Sequence, residues 1–147
     1  MPTSLWNKFN SFVEDLAEGV HNLQTGTLTV ALCAAANAPV ASNTVLANLT
    51  QISYTNVVTT PNASRVIGLT TSAQTSGTYK LVLPDMTITA TGGAIAAFRY
   101  VVIYNDPPTS PADPLIAWLD YGSDVTIASG ESLLIDFDGS NGVFTLA

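Results

Sequence analysis

Charge is what this chain has least of. Charged residues make up 10% of its 147 positions, and only four are basic: Lys8, Arg65, Lys80 and Arg99. A surface that tracks phosphates needs clustered Lys and Arg, and these four are dispersed, so no nucleic-acid partner is expected. There is one cysteine, Cys33, and one histidine, His21. A lone cysteine forms no internal disulfide, and one Cys with one His cannot build a zinc cage. No apolar run approaches the roughly 20 residues of a membrane-spanning helix, so no membrane partner is expected. No basic segment followed by an apolar one opens the chain, so no secretion signal is visible. Asn48-Leu49-Thr50 and Asn62-Ala63-Ser64 match the glycosylation pattern by chance in a chain so rich in Asn, Ser and Thr. Synthesis and retention in a cytoplasm, until assembly or release, is the expectation. Motifs for phosphate cradles, dinucleotides and hydrolase nucleophiles are missing.

What is present is apolar. Hydrophobic residues make up 47% of the chain, which argues against disorder. The length suits one domain with a real core. The strongest architectural signal is AFRYVVIYNDPPTSPADPLIAWLDY, Ala97 to Tyr121. Successive side chains of a strand point to opposite faces. Phe98, Tyr100, Val102 and Tyr104 share one face, and Arg99, Val101, Ile103 and Asn105 the other. Both are largely apolar, which predicts a central strand covered on two sides. Leu115 to Tyr121 repeats the pattern. Between the runs, Pro107, Pro108, Pro111 and Pro114 remove ladder donors and fix φ, predicting a stiff projecting loop.

Apolar side chains at Leu5, Phe9, Phe12, Val13, Leu16 and Val20 predict an amphipathic helix over 4–20, capped by Thr3 or Ser4 and ending near Gly19. His21 then meets the helix's terminal carbonyls. From residue 27 onward the pattern is of strands: Thr27–Cys33, a weaker Val45–Tyr54, Thr78–Leu83, Asp85–Thr91, Val125–Ala128 and Ser132–Phe137. Asp138–Gly142 is expected to form a hairpin loop into Val143–Leu146. Pro84 suggests a bulge or an edge. Residues 55–77 read as a long exposed connection with one short strand at Arg65-Val66-Ile67. The expected fold is mainly β: a jelly roll or β-sandwich of about 8–10 antiparallel strands with a short N-terminal helix. It forms one domain, 1–147, with a helical arm over 1–22 and a β-sandwich body over 23–147.

Two constellations invite a functional reading. Asp136-Phe137-Asp138-Gly139-Ser140-Asn141 opens like a calcium loop, but Ser140 and Asn141 replace the third ligand and the invariant Gly, and no acid follows at the twelfth position. A weak calcium site at Asp136 and Asp138 stands against the plainer reading of a polar turn, and no metal or cofactor is expected. Tyr100, Tyr104, Trp118 and Tyr121 either line a sugar-binding groove or pack a core, the commoner use of large rings.

FNSFVEDLAEGVHNL, APVASNTVLANLTQISY, TSAQTSGTYKLVL and above all FRYVVIYND…DPLIAWLDYGSDVTIASGESLLIDFDGSNGVFTLA resemble tailed-bacteriophage virion proteins of the head decoration, or capsid cement, type. The resemblance covers residues 9–147 apart from about 55–72. It implies a jelly-roll or β-sandwich body, often trimeric, seated on the outer capsid surface at local threefold positions. There it would bridge major capsid protein subunits without covalent chemistry. This chain departs from that pattern at Pro107-Pro108 and in the length of the Pro-rich loop.

The expectation is a non-enzymatic capsid cement protein, made in the host cytoplasm, with the major capsid protein and copies of itself (a trimer favoured) as partners. The stripe Leu5, Trp6, Phe9, Phe12 and Leu16 either contacts the capsid or another protomer, or covers the sandwich's own open end. Pro107, Pro108 and Pro111 are candidate surface-loop contacts. The alternatives are a receptor- or glycan-binding module of a tail or head fibre, and a low-copy neck or tail component.

Overall fold

The computed structural model describes residues 6–147. It is mainly β, a sandwich-like stack of three antiparallel sheets with one short α-helix. The ten strands are β1 (Asn7–Lys8), β2 (Leu28–Cys33), β3 (Val57–Thr60), β4 (Thr71–Thr75), β5 (Thr78–Val82), β6 (Met86–Ala90), β7 (Ile95–Asn105), β8 (Leu115–Ile127), β9 (Ser132–Ile135) and β10 (Phe144–Leu146); α1 spans Ser11–Ala17. The central sheet runs β1-β8-β7-β2, and two three-stranded sheets run β10-β5-β4 and β3-β6-β9.

The central sheet is covered on both faces, as the double apolar pattern of β7 requires. On one face Val101 and Ile103 join Leu32, Ile88, Leu81 and Ile135 in the main core. On the other, Tyr100, Val102 and Tyr104 pack with Phe9, Ala31, Leu46 and Leu49 in a second core. Phe98 departs from the expected alternation: it sits in the main core beside Val101. A register shift accompanies this break. Phe98 faces Val125 whereas Tyr100 faces Asp120, so β8 carries extra residues here. Gly122, at φ +82°, supplies the turn this bulge needs.

The start of the chain corrects the expected helix. Residues 7–8 pair with β8, Asn7 opposite Trp118 and Lys8 opposite Ala117. The Phe9 N–H donates to Ile116 O at 3.1 Å, and the Asn10 N–H to Ala41 O at 2.9 Å. A strand carbonyl of β8 and the turn carbonyl of Ala41 take these donors, and α1 begins only at Ser11. Thr3 and Ser4, the expected caps, lie outside the described residues.

Other expectations shift for similar reasons. Val45–Tyr54 forms a tight turn over Leu46–Asn48 rather than a strand, closed by Asn48 Oδ1 accepting from the Thr44 and Val45 N–H groups at 3.0 and 3.2 Å. Residues 55–77 carry two strands, β3 and β4, while Arg65 ends a turn and Val66 makes one bridge to Thr29. Pro84 marks a change of sheet: β5 pairs with β10 and β4, β6 with β3 and β9. The chain makes the reverse crossing at 136–143. β9 and β10 therefore lie in different sheets, and the expected hairpin between them does not form.

Candidate functional site

The aromatics proposed as a sugar groove form no groove. Tyr100 and Tyr104 are each 6% exposed inside the second core. Trp118 packs on Phe9 with the rings tilted and centroids 4.5 Å apart, and Tyr121 meets Phe98 edge-on at 6.4 Å. These rings pack sheets together.

The acidic turn is spoken for by its own backbone. Asp138 Oδ1 accepts from the N–H groups of Ser140 and Asn141 at 3.1 and 2.9 Å, and Oδ2 from Asn141 Nδ2 at 2.8 Å. These bonds, that from the Asn141 N–H foremost, lower the Asp138 pKa. Asp136 Oδ1 accepts from the Asp138 N–H at 2.8 Å. Among the described residues no three His, Cys, Asp or Glu side chains converge as metal ligands.

Of the N-terminal stripe, Leu5 lies outside the described residues. Phe9 is 0% exposed in the second core and Phe12 2% exposed in the main core. Both side chains are buried within this domain and present no free surface here. Trp6 stacks on Phe137 at 5.4 Å, and Leu16 is half-buried against the main core. Short as it is, the segment ties both cores to the edge of the central sheet.

The polar arrangement that does stand out joins residues 84 positions apart. His21 is 4% exposed and Asn105 2%. Asn105 Nδ2 donates to His21 Nδ1 at 3.3 Å, leaving Asn105 Oδ1 and His21 Nε2 buried without partners. Burial holds the imidazole neutral and lowers its pKa to about 4. The expected role for His21 at the helix carbonyls is thereby corrected, since α1 ends four residues earlier and the ring turns into the protein. Asn105 sits at the end of β7, where its N–H donates to Pro114 O at 3.1 Å.

The pair divides two open clefts. One, of about 500 Å³, lies between residues 18–26 and the proline loop, with Glu18, Gly26, Asn105, Pro107 and Pro108 in its walls. The other, about 470 Å³, is more apolar and runs from His21 and Leu23 to Tyr79, Phe144 and Leu146. Pro107 and Pro111 are exposed, and Pro108 is half-buried. The loop therefore forms a wall, with Asp106 N–H held by Thr27 O at 3.1 Å. Its prolines made it visible in the sequence. Glu18 and Asn105 carried no such mark, because an Asn closing an apolar strand looks like an ordinary strand end.

No family model, no curated protein and no solved structure matches this chain.

Proposed function

We propose that this protein is a phage capsid decoration protein that binds the outer shell and bridges major capsid protein subunits. The observation that carries the reading is the outer face of the sheet β3-β6-β9. None of the residues in these three strands is charged. Val58 and Leu134 are 47% and 49% exposed; Val58 stands opposite Thr89, and Leu134 opposite Thr87. Such a face loses little on desolvation and suits a flat protein contact. The resemblance of FRYVVIYND and DPLIAWLDYGS to head decoration proteins points the same way.

Bridging works by multivalency. Each contact is weak, and simultaneous engagement of several subunits makes dissociation slow. A trimeric arrangement fits this mechanism and belongs to the same proposal. Binding of Val58→Lys and Leu134→Lys chains to undecorated shells tests it. The double variant is expected to lose binding while keeping its thermal transition, and unaltered binding would remove this face from the account.

A further inference from the structure

The sheet edges of this protein differ in how they are closed. On β2, Leu28 O accepts from the Ile67 N–H at 2.8 Å, Leu32 O from the Ile52 N–H at 2.9 Å and Val30 O from Arg65 Nε at 3.0 Å. β1 is two residues long and β10 three. β3 runs into Pro61, and β9 lies between Glu131 and Asp136. Covering segments, short length, proline and charge are the means by which sheets avoid adding strands.

β4 has none of them. It ends the sheet β10-β5-β4, its residues Thr71-Ser72-Ala73-Gln74-Thr75 are uncharged and without proline, and the last three are exposed. Among the described residues no other strand or bridge pairs with its outer side. The two-residue turn at Ser76 and Gly77, with φ of 51° and 83°, fixes which groups face out. Such a turn closes on a hydrogen-bonded pair, here Thr75 and Thr78. Pairs alternate along an antiparallel ladder, so Thr71, Ala73 and Thr75 bond to β5, while Ser72 and Gln74 turn N–H and C=O outward. The Val143 N–H, donating to Leu81 O at 2.9 Å, agrees: Leu81, opposite Ser72, serves the β10 side of β5.

Charge bears on what approaches this edge. No carboxylate occurs between Glu18 and Asp85 in the sequence, so β4 belongs to a stretch without the acids that make two copies repel. Lys80, opposite Ala73 on β5, is held by Ser140 O at 2.9 Å. An antiparallel pair of β4 strands centred on Ala73 sets Ser72 opposite Gln74 and Thr71 opposite Thr75, with no like charges opposed.

We propose that β4 is the seam at which two copies of this chain join into one continuous antiparallel sheet, with Ala73 on the twofold axis. Ser72 and Gln74 of each copy exchange N–H and C=O bonds with Gln74 and Ser72 of the other, about four bonds in all. So short a seam is weak, with Kd about 1 mM in free solution. On a surface that holds copies side by side it acts intramolecularly and tightens accordingly. The proposal does not rest on the capsid reading, and its twofold contact is separate from the trimer contact named there.

The test is amide hydrogen exchange of the full-length ¹⁵N-labelled chain by NMR, at about 1 mM and after about twentyfold dilution. Exchange at Ser72 and Gln74 is expected to be about twofold slower in the concentrated sample, with Ala73 and Thr75 unchanged. Ala73→Lys and Ala73→Glu each remove that difference while keeping Tm, because residue 73 is exposed and its backbone still pairs with β5. An equal mixture of the two variants restores it, since opposite charges then meet across the seam. Exchange at Ser72 and Gln74 that ignores concentration, a difference that survives Ala73→Lys, or a mixture without rescue would overturn the proposal. Binding to shells is a separate readout: a chain that pairs in this way and ignores shells supports the seam and refutes the capsid reading.

Discussion

Arg99 grips Asp120 with two hydrogen bonds, Nε to Oδ1 at 2.8 Å and Nη2 to Oδ2 at 3.1 Å, across the point where β7 and β8 change register. Oδ1 also accepts from the Gly122 N–H at 2.7 Å, so the same carboxylate ties the bulge to the opposite strand. The pair is about one-third exposed, which limits its strength. Asp120→Asn is expected to lower Tm by a few degrees. Hydrogen exchange at residues 121–125 should rise more than in the rest of β8. Because the Arg99 hydrogen bonds lower the Asp120 pKa, the contribution is present above the ordinary carboxylate range. It disappears as pH falls through the lowered value.

His21 produces a second acid sensitivity with a different window. Its pKa falls from 6.5 when unfolded to about 4 when folded. Below pH 6.5 the unfolded chain takes up a proton that the native chain refuses, so stability drops as pH falls toward 4. The loss at pH 5 relative to pH 7 amounts to about 2 kcal/mol at about 1.4 kcal/mol per unit. Urea melts of wild type and His21→Leu at both pH values check this. The variant is expected to lose about 2 kcal/mol less between them, and equal losses would assign the acid sensitivity to carboxylates instead.

Phe9 and Phe12 should behave as core residues. Each truncation to alanine is expected to cost about 3–5 kcal/mol, and removal of residues 1–20 should leave a chain that no longer unfolds cooperatively. Val13, 51% exposed on the same helix, should tolerate alanine within about 0.5 kcal/mol. Denaturant melts of the three substitutions separate this role from a purely intermolecular one.

Cys33 lies on the fully buried β2, and burial pushes its thiol up to about 11. The thiolate is the reactive form. Labelling by a thiol reagent at pH 8 should therefore proceed only at the rate of unfolding, and rise steeply near the midpoint of a urea transition.

The two-faced apolar pattern of β7 and the break at Pro84 were legible because they depend on local alternation and on a missing N–H. The strands β3 and β4 were not. β4 is built of Thr, Ser, Ala and Gln and is largely exposed, and β3 is only Val57–Thr60, so composition resembles a loop while the backbone pairs with β5 and β6. The helix was overextended because Leu5, Phe9 and Phe12 fit a helical period, whereas residues 7–9 find their partners on β8, over a hundred positions away. The His21–Asn105 pair was invisible for the same reason: neither residue signals its partner, and only the closing of β7 beside the end of the 18–26 segment brings them together.

Copy number in purified virions tests the central claim most directly. Quantitative mass spectrometry against the major capsid protein is expected to give near one copy per capsid subunit. A few tens of copies or fewer would move the protein to the neck, tail or fibres, and its absence from the particle would contradict the account altogether.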